Sequence, residues 1–122
     1  MIQFKSSVRI ITYSPALNWI LSCLYQLDQN RPVCTPELLT VTSINDSSHA
    51  DNSRHYKDEA VDIRSKNFSA MINKKTFIQL FQNMLNSHPA LPNRFLVMLE
   101  DEGKDNEHFH AQVKKGMQFD WV

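Results

Sequence analysis

The sequence has 122 residues, of which 42% are hydrophobic and 10% aromatic, and its 13 basic and 13 acidic side chains give a formal net charge of zero. This length fits a single domain, 1–122, and the composition supplies enough apolar residues for a core, which argues against a disordered chain. The lack of a basic excess argues against a nucleic-acid partner, and no apolar run approaches the roughly 20 residues of a membrane span.

The first predicted elements are a strand and a helix. Residues Val8–Tyr13 are mostly β-branched or aromatic, which predicts a strand. A helix is predicted to begin at Ser14 and Pro15, because serine is a favoured N-cap and proline is tolerated in the first turn. Arg31-Pro32 should end this helix, and the alternating stretch Leu38–Ser43 predicts a further strand. The buried face of the helix is predicted at helical spacing, from Leu17, Ile20, Leu21, Leu24 and Leu27.

The middle of the chain is strongly polar. The composition changes over residues 44–67, and Ser, Asn, Asp and His dominate Asn45–Lys57, where Ala50 is the one aliphatic residue. This pattern predicts a long surface loop, and loops of this length in compact domains are often functional. The loop leads into Ala60–Ile63, a short strand-like stretch.

The second half of the chain predicts a helix followed by a hairpin. Asn73 is a candidate N-cap, and His88-Pro89 should stop the helix. Phe95–Leu99 predicts a buried strand, the polar turn Glu100–Asn106 follows, and His108–Val113 predicts the returning strand. The predicted buried side of the helix consists of Phe77, Ile78, Leu80, Phe81, Met84 and Leu85. The order β-α-β-loop-β-α-β-β indicates a single small α+β domain, with a mainly antiparallel sheet and helices on one face.

Histidines and one aspartate suggest a metal site. His55 and Asp62 bracket the exit from the polar loop, and His108 and His110 point to the same face of a strand because they are two residues apart. Zinc takes imidazole and carboxylate donors, and a catalytic zinc site uses three protein ligands and one open position. His49 is an alternative ligand if the loop folds inward, although a solvated loop histidine is the simpler interpretation.

Two stretches carry a resemblance to a known superfamily. Ser53-Arg54-His55-Tyr56 and Ala60-Val61-Asp62-Ile63, with the later His108-Phe109-His110, resemble the zinc-site signature of the M15 D,D-carboxypeptidase and Hedgehog superfamily. That signature has the form S-x-H-x-x-G-x-A-x-D-[IL], followed by H-x-H or E-x-x-H. The stretch SRHYKDEAVDI is similar to the Hedgehog form, and the similarity is anchored over residues 40–66 and 94–114.

The resemblance implies a Hedgehog/DD-peptidase-like fold and a role for each matching residue. His55, Asp62 and His110 would be zinc ligands, Glu107 would be the general base, and His108 would flank the metal and stabilise an oxyanion. The glutamate would accept a proton from zinc-activated water as it attacks a peptide carbonyl. Glu107 is three residues from His110, so in a regular strand it would face away from the metal. The candidate substrate-binding residues are Ser53 and Arg54.

Two departures from the family pattern support the alternative of a catalytically inactive domain. Asp58 stands where the family has glycine, and Asp46 stands at the position of an arginine that clamps the substrate. The first hypothesis is a zinc peptidase acting on peptidoglycan-type peptides, as a D,D-carboxypeptidase or an L-alanyl-D-glutamate endopeptidase. The alternative is a catalytically inactive Hedgehog-like zinc domain with a structural or binding role. A third is a metal-free interaction domain.

The remaining features indicate where the protein is made and how it exists. The first twenty residues make a poor secretory signal, so we expect the protein to be made in the cytoplasm. We further expect a monomer, with a peptide or peptidoglycan rather than a membrane as its partner. A chain of this size suits a phage-encoded product acting on the cell wall. Cys23 and Cys34 are too few for a disulfide framework, and Cys23 is predicted to be a buried free thiol. With only two glycines, the chain has no glycine-rich phosphate loop.

Overall fold

A computed structural model describes residues 1–8, 14–44, 60–90 and 92–114. Within these ranges the strands form one five-stranded sheet in the order β1-β2-β3-β5-β4, in which β1 and β2 are parallel and the other pairs are antiparallel. The domain is therefore α+β with a mostly antiparallel sheet and two helices packed against it, as the sequence predicts. The elements are β1 (Ile2–Phe4), α1 (Pro15–Asn30), β2 (Leu39–Ser43), β3 (Ala60–Arg64), α2 (Met71–Leu85), β4 (Phe95–Glu100) and β5 (His108–Val113).

Helix α1 begins and ends where the sequence predicts. The side-chain Oγ of Ser14 accepts a hydrogen bond from the Leu17 amide at 3.1 Å, and Pro15 is the first helical residue. The helix ends at Asn30, and Arg31 adopts the left-handed conformation with φ 45°. The Ser14 side chain thus pairs with the Leu17 amide, one of the backbone N–H groups that the first turn of a helix leaves without an intrahelical partner. The buried apolar face of α1 contains Ala16, Leu17, Ile20, Cys23, Leu24 and Leu27.

Helix α2 corrects two sequence predictions. It begins at Met71, with Ala70 as the N-cap, so Asn73 is not the cap. Asn73 lies inside the first turn, where its amide Nδ2 donates to Ser69 Oγ at 2.6 Å. Leu80 was predicted to be buried but is 37% exposed, because it lies at the edge of the apolar face. Phe77, Phe81 and Leu85 form the fully buried part of that face, and the helix ends before His88-Pro89 as predicted.

One face of the sheet is apolar, and the opposite face carries mainly polar side chains, with Leu96 and Met98 of β4 among them. Odd-numbered residues of β2 to β5 belong to the core that both helices help to form, and Phe109 packs against Phe77 of α2 with ring centroids 4.8 Å apart. The even-numbered Asp62, His108 and His110 therefore project from the opposite face, because neighbouring side chains in a strand alternate. The core residues of the sheet are Leu39, Val41, Val61, Ile63, Phe95, Val97, Phe109, Ala111 and Val113.

Gln82 of α2 and the C-cap residue Asn86 hydrogen-bond the outer edge of β4. The amide of Phe95 donates to Asn86 Oδ1 at 2.8 Å, and the amide of Val97 donates to Gln82 Oε1 at 3.0 Å. Asn86 Nδ2 in turn donates to the carbonyl of Phe95 at 3.2 Å. The last strand of the sheet is thus fastened to the helix by polar bonds as well as by apolar packing.

Some predictions on the N-terminal and loop segments cannot be compared with the fold. The predicted strand Val8–Tyr13 falls, apart from Val8, outside the described residues, and Val8 itself lies in no strand. The short parallel strand β1 was not predicted. Neither helix in the described part of the chain is long and apolar enough to cross a membrane.

Candidate metal centre

Three adjacent strands bring four potential metal ligands together. Strands β3 and β5 pair Asp62 directly with His110, and β4 and β5 pair Glu100 with His108. Directly opposed side chains on one face of an antiparallel pair lie close together, and His108 and His110 share a face because they are two residues apart. Sheet register alone therefore places two imidazoles between two carboxylates.

The contacts within this group are short. Asp62 Oδ1 lies 2.7 Å from His110 Nδ1 and 3.7 Å from His108 Nε2. Glu100 Oε1 lies 2.9 Å from His108 Nε2 and 3.7 Å from His110 Nδ1. Each histidine thus turns one ring nitrogen toward both carboxylates, and one donor atom from each of the four residues lies within 4.8 Å of the others.

The outward-facing ring nitrogens have their own oxygen partners. His108 Nδ1 lies 2.8 Å from the carbonyl oxygen of Asn106, and His110 Nε2 lies 2.8 Å from Gln112 Oε1. A carbonyl oxygen only accepts hydrogen bonds, so each outward nitrogen carries the proton and donates. In a neutral imidazole the inward nitrogen then presents a lone pair, which is the tautomer that a metal-binding histidine needs.

The inward ring nitrogens lie 2.7 to 2.9 Å from carboxylate oxygens. An unprotonated, metal-free nitrogen at this distance would place its lone pair against a lone pair of the oxygen, which is repulsive. Either a proton or a metal cation must lie between them. Burial opposes the charged form of both histidines, but the contacts with Asp62 and Glu100, together with the hydrogen bonds to Asn106 and Gln112, outweigh burial. They raise the pKa of His108 and of His110.

The donor set fits a transition-metal ion. Zinc binds imidazole nitrogen and carboxylate oxygen at about 2.0–2.2 Å in a tetrahedron, which puts the ligand atoms about 3.4 Å from one another. The four nitrogen–oxygen separations between these residues, 2.7 to 3.7 Å, lie around that value, and all four donor atoms lie within 4.8 Å of one another. Two imidazoles, two carboxylates and one divalent cation also sum to zero charge. Small side-chain shifts would accommodate an ion here.

The site includes some of the predicted residues and one that was missed. Asp62 and His110, both predicted ligands, are brought together, and His108 lies beside them as predicted. Glu100 was assigned to the turn rather than to the site. What indicates that Glu100 belongs to the site is its position opposite His108 in the hairpin, and that position follows only from the strand register. His55 and the candidate substrate residues Ser53 and Arg54 lie outside the described residues.

Glu107 has a different environment from the four grouped residues. Its Oε1 accepts hydrogen bonds from Lys74 of α2 and from Ser65 Oγ, the latter at 2.6 Å, and its Oε2 accepts from the Gly103 amide at 2.9 Å. The hydrogen bonds from Lys74, then Ser65 and Gly103, lower the pKa of Glu107 to about 2. Its carboxylate is thus directed toward α2, as strand alternation predicts, and with this pKa it is a weak proton acceptor.

The fold and this site define a small α+β domain with a candidate metal centre on the polar face of its sheet. Comparison of the chain with protein-family models, with curated proteins and with solved structures found no match. The resemblance to the M15 and Hedgehog superfamily therefore rests on the quoted residues alone.

Proposed function

We propose that this protein binds one divalent transition-metal ion, with zinc as the best match, through Asp62, Glu100, His108 and His110. The observation that carries the proposal is the orientation of the two imidazoles. Their outward nitrogens are bonded to oxygen acceptors, and their inward nitrogens converge on two carboxylates from the neighbouring strands. Partners that orient metal-binding histidines in this way are typical of metal sites.

Other metals fit the donors less well. Calcium and magnesium prefer sites built entirely from oxygen ligands, whereas half of these donors are imidazole nitrogens. Copper(I) prefers thiolates and thioethers, whereas the four donors grouped here are two imidazoles and two carboxylates. Zinc, iron(II), nickel(II) and manganese(II) remain compatible with a two-histidine, two-carboxylate set, and zinc accommodates it without a strict geometric preference.

For the activity, we propose a zinc-dependent peptidase acting on peptidoglycan-type peptides. Support comes from the resemblance of SRHYKDEAVDI and HFH to the M15 signature. Zinc supplies such a site with an activated water and polarises the substrate carbonyl. The resemblance assigns the general base to Glu107. Glu100 is a second candidate, because its side chain is 39% exposed while the other three are 9 to 20% exposed, so it can leave the metal and accept a proton.

A catalytically inactive zinc domain is the alternative function. If Glu100 remains bound, the metal has four protein ligands and no open position, which is the arrangement of a structural site. The substitutions at Asp46 and Asp58 relative to the family pattern point the same way. In this case the metal would hold β3, β4 and β5 together rather than act on a substrate.

Metal analysis of the purified protein tests the binding proposal. We expect close to one zinc per chain, and we expect His110→Ala and Asp62→Asn to remove it. His88→Gln is the matched control, because His88 lies against Trp19 and away from the polar face of the sheet. Full zinc content in both site variants would refute the site.

A digest of purified peptidoglycan by the zinc-loaded protein separates peptidase from inactive domain. If the protein cleaves peptides, Glu100→Gln and Glu107→Gln are compared at equal zinc occupancy. The true base is the position whose glutamine variant loses turnover by about 100-fold or more while retaining metal. Peptidoglycan that stays uncleaved at full zinc occupancy would favour the inactive domain.

A further inference from the structure

A cavity of about 310 Å³ adjoins the candidate metal centre. Asp62 and His108, two of the four candidate ligands, line its wall. Next to them Arg64 projects from the same face of the sheet, because it is the cross-strand partner of His108. A ligand in this cavity would therefore lie in reach of the metal and of the arginine together.

The wall of the cavity carries three cationic side chains, from Lys5, Arg64 and Lys66, and three acidic ones. Of the acidic ones, Asp62 belongs to the candidate metal centre and Glu107 pairs with Lys74. Lys66 has an anionic neighbour, Asp105, at 3.8 Å. Within the described part of the chain, neither Lys5 nor Arg64 forms an ion pair with an acidic side chain. The hydroxyl-bearing Thr42 also lines the cavity and adds a neutral hydrogen-bonding group.

Lys5 and Arg64 are exposed and have no acidic side-chain partner within the described ranges, so both are able to bind an anion. The guanidinium of Arg64 presents paired donors that match the two oxygens of a carboxylate or phosphate. Lys5 comes from a distant part of the chain, immediately after β1, and reaches the same cavity. Lys5 and Arg64 are therefore brought to one cavity by the fold and not by one stretch of sequence.

We propose that this cavity binds the oxyanionic group of a small ligand, through Arg64 and Lys5, while a neighbouring polar group of the ligand reaches the metal. The proposal rests on the proposed metal site and names the substrate class for it: a molecule bearing a carboxylate or phosphate next to the bond or group held at the metal. A peptide with a free C-terminal carboxylate and a phosphorylated small molecule share this chemistry. Arg64 thereby takes the substrate-binding role that the sequence assigned to Arg54.

Titration calorimetry of the zinc-loaded protein tests the proposal with three probes: N-acetyl-alanyl-alanine, its C-terminal amide, and inorganic phosphate. We expect the free acid or phosphate to bind and the amide to bind about tenfold more weakly than the acid, because it lacks the charge. Arg64→Gln and Lys5→Gln should each weaken anion binding by about tenfold at unchanged zinc content. Lys75→Gln, which removes an exposed cation of α2, is the matched control and should bind as the unaltered protein does.

The outcomes distinguish this proposal from the metal site itself. Preference for the free acid identifies a carboxylate ligand, and binding of phosphate alone identifies a phosphorylated one. Zinc binding without binding of either anion, or anion binding that both variants leave unchanged, overturns the cavity proposal. Anion binding that depends on Arg64 in a protein that takes up no zinc would overturn the metal site and leave the anion site standing.

Discussion

Asp62 and His110 are direct cross-strand partners, and Asp62 Oδ1 lies 2.7 Å from His110 Nδ1. The two residues are far apart in the sequence, and antiparallel pairing of β3 with β5 is what makes them neighbours. Both are fixed on strands in the interior of the sheet, so their separation is set by backbone geometry and not by loop conformation. This relationship is the basis of the predictions on metal binding.

The ligand set can be tested at His55. The proposed site is complete without His55, so we expect His55→Ala to leave zinc affinity unchanged. The ligand set that the resemblance implies predicts instead a loss of about tenfold or more, because that site would lose a donor. His49→Ala removes another histidine of the same polar segment and should leave affinity unchanged. Competition with a chromophoric chelator measures both. Wild-type affinity in His55→Ala would show that Asp62, Glu100, His108 and His110 suffice.

Zinc and protons should compete for the same inward nitrogens. The pKa values of His108 and His110 are raised, so both imidazoles are still partly protonated above their ordinary range and must lose those protons when metal binds. Zinc affinity should therefore increase as the pH rises through the raised pKa values and level off above them. The folding stability of the metal-free protein should change with pH in the opposite direction. The charged histidines stabilise the fold fully below their unfolded pKa, and this stabilisation is lost as the pH rises through the raised folded pKa values.

Calorimetry in buffers of different ionisation enthalpy measures this proton release. We expect release at pH 6 to 7 in the unaltered protein and markedly less in His108→Ala. A zinc affinity that does not change between pH 6 and pH 8 would contradict the assignment of these two imidazoles as ligands.

Glu107 should contribute to folding through its bonds to Lys74 and Ser65. Replacing the buried carboxylate in Glu107→Gln removes the charge that Lys74 faces, and we expect a loss of about 1–3 kcal/mol in the free energy of unfolding. Glu102→Gln, an exposed hairpin residue, is the matched control. Urea denaturation measures both, and equal stabilities would show that the ion pair contributes nothing.

The same carboxylate gives a stability change at acid pH. Its folded pKa of about 2 lies below the ordinary value of 4.5, so its contribution is complete above about pH 4.5 and is lost as the pH falls toward 2. The difference in unfolding free energy between Glu107→Gln and the unaltered protein should therefore shrink over this interval. A constant difference would indicate that the variant perturbs packing instead.

The N-cap of α1 is testable by substitution. Ser14 Oγ accepts the Leu17 amide, so Ser14→Ala should lower the free energy of unfolding by about 1 kcal/mol. Ser14→Asp keeps an acceptor at this position and should restore most of the loss, because aspartate is also a favoured N-cap. Thermal and urea unfolding measure the series. An equal loss in both variants would mean that the hydroxyl acts in some other way.

Cys23 should be unreactive in the folded protein. It is 2% exposed, and burial raises the pKa of its thiol to about 12. At pH 8 we expect its alkylation by iodoacetamide to be slower than in the urea-unfolded chain by about 100-fold or more, since the thiolate is the reactive form. Mass spectrometry of Cys23 peptides measures the rate. Rapid labelling in the native state would contradict the buried position.

Local patterns in the sequence predicted much of the fold. Ser14 and Pro15 begin α1 through contacts within one turn, and the bounds of β5 follow from alternation alone, so neighbouring residues were sufficient. The short strand β1 was missed, because its pairing with β2 depends on a segment more than thirty residues away. The cap of α2 was misplaced at Asn73, because the real N-cap, Ala70, has no side chain that signals the helix start.

The site was predicted in part for the same reason. Asp62, His108 and His110 stand in motifs that can be read along the chain. Glu100 joins them only through the register of the β4–β5 hairpin, in which it faces His108. Two of the cavity cations, Lys5 and Arg64, belong to no motif. Their convergence depends on the order of strands in the sheet, which no single stretch of sequence encodes.

The bonds from Gln82 and Asn86 to β4 have a consequence for association between molecules. An unprotected outer strand offers its amides and carbonyls to any extended chain and so acts as a template for aggregation. Here the amides of Phe95 and Val97 already donate to Asn86, the C-cap of α2, and to Gln82 of α2. A second molecule that adds a strand on that side would have to compete with these bonds, so Gln82 and Asn86 help to protect the outer strand of the hairpin that carries His108 and His110.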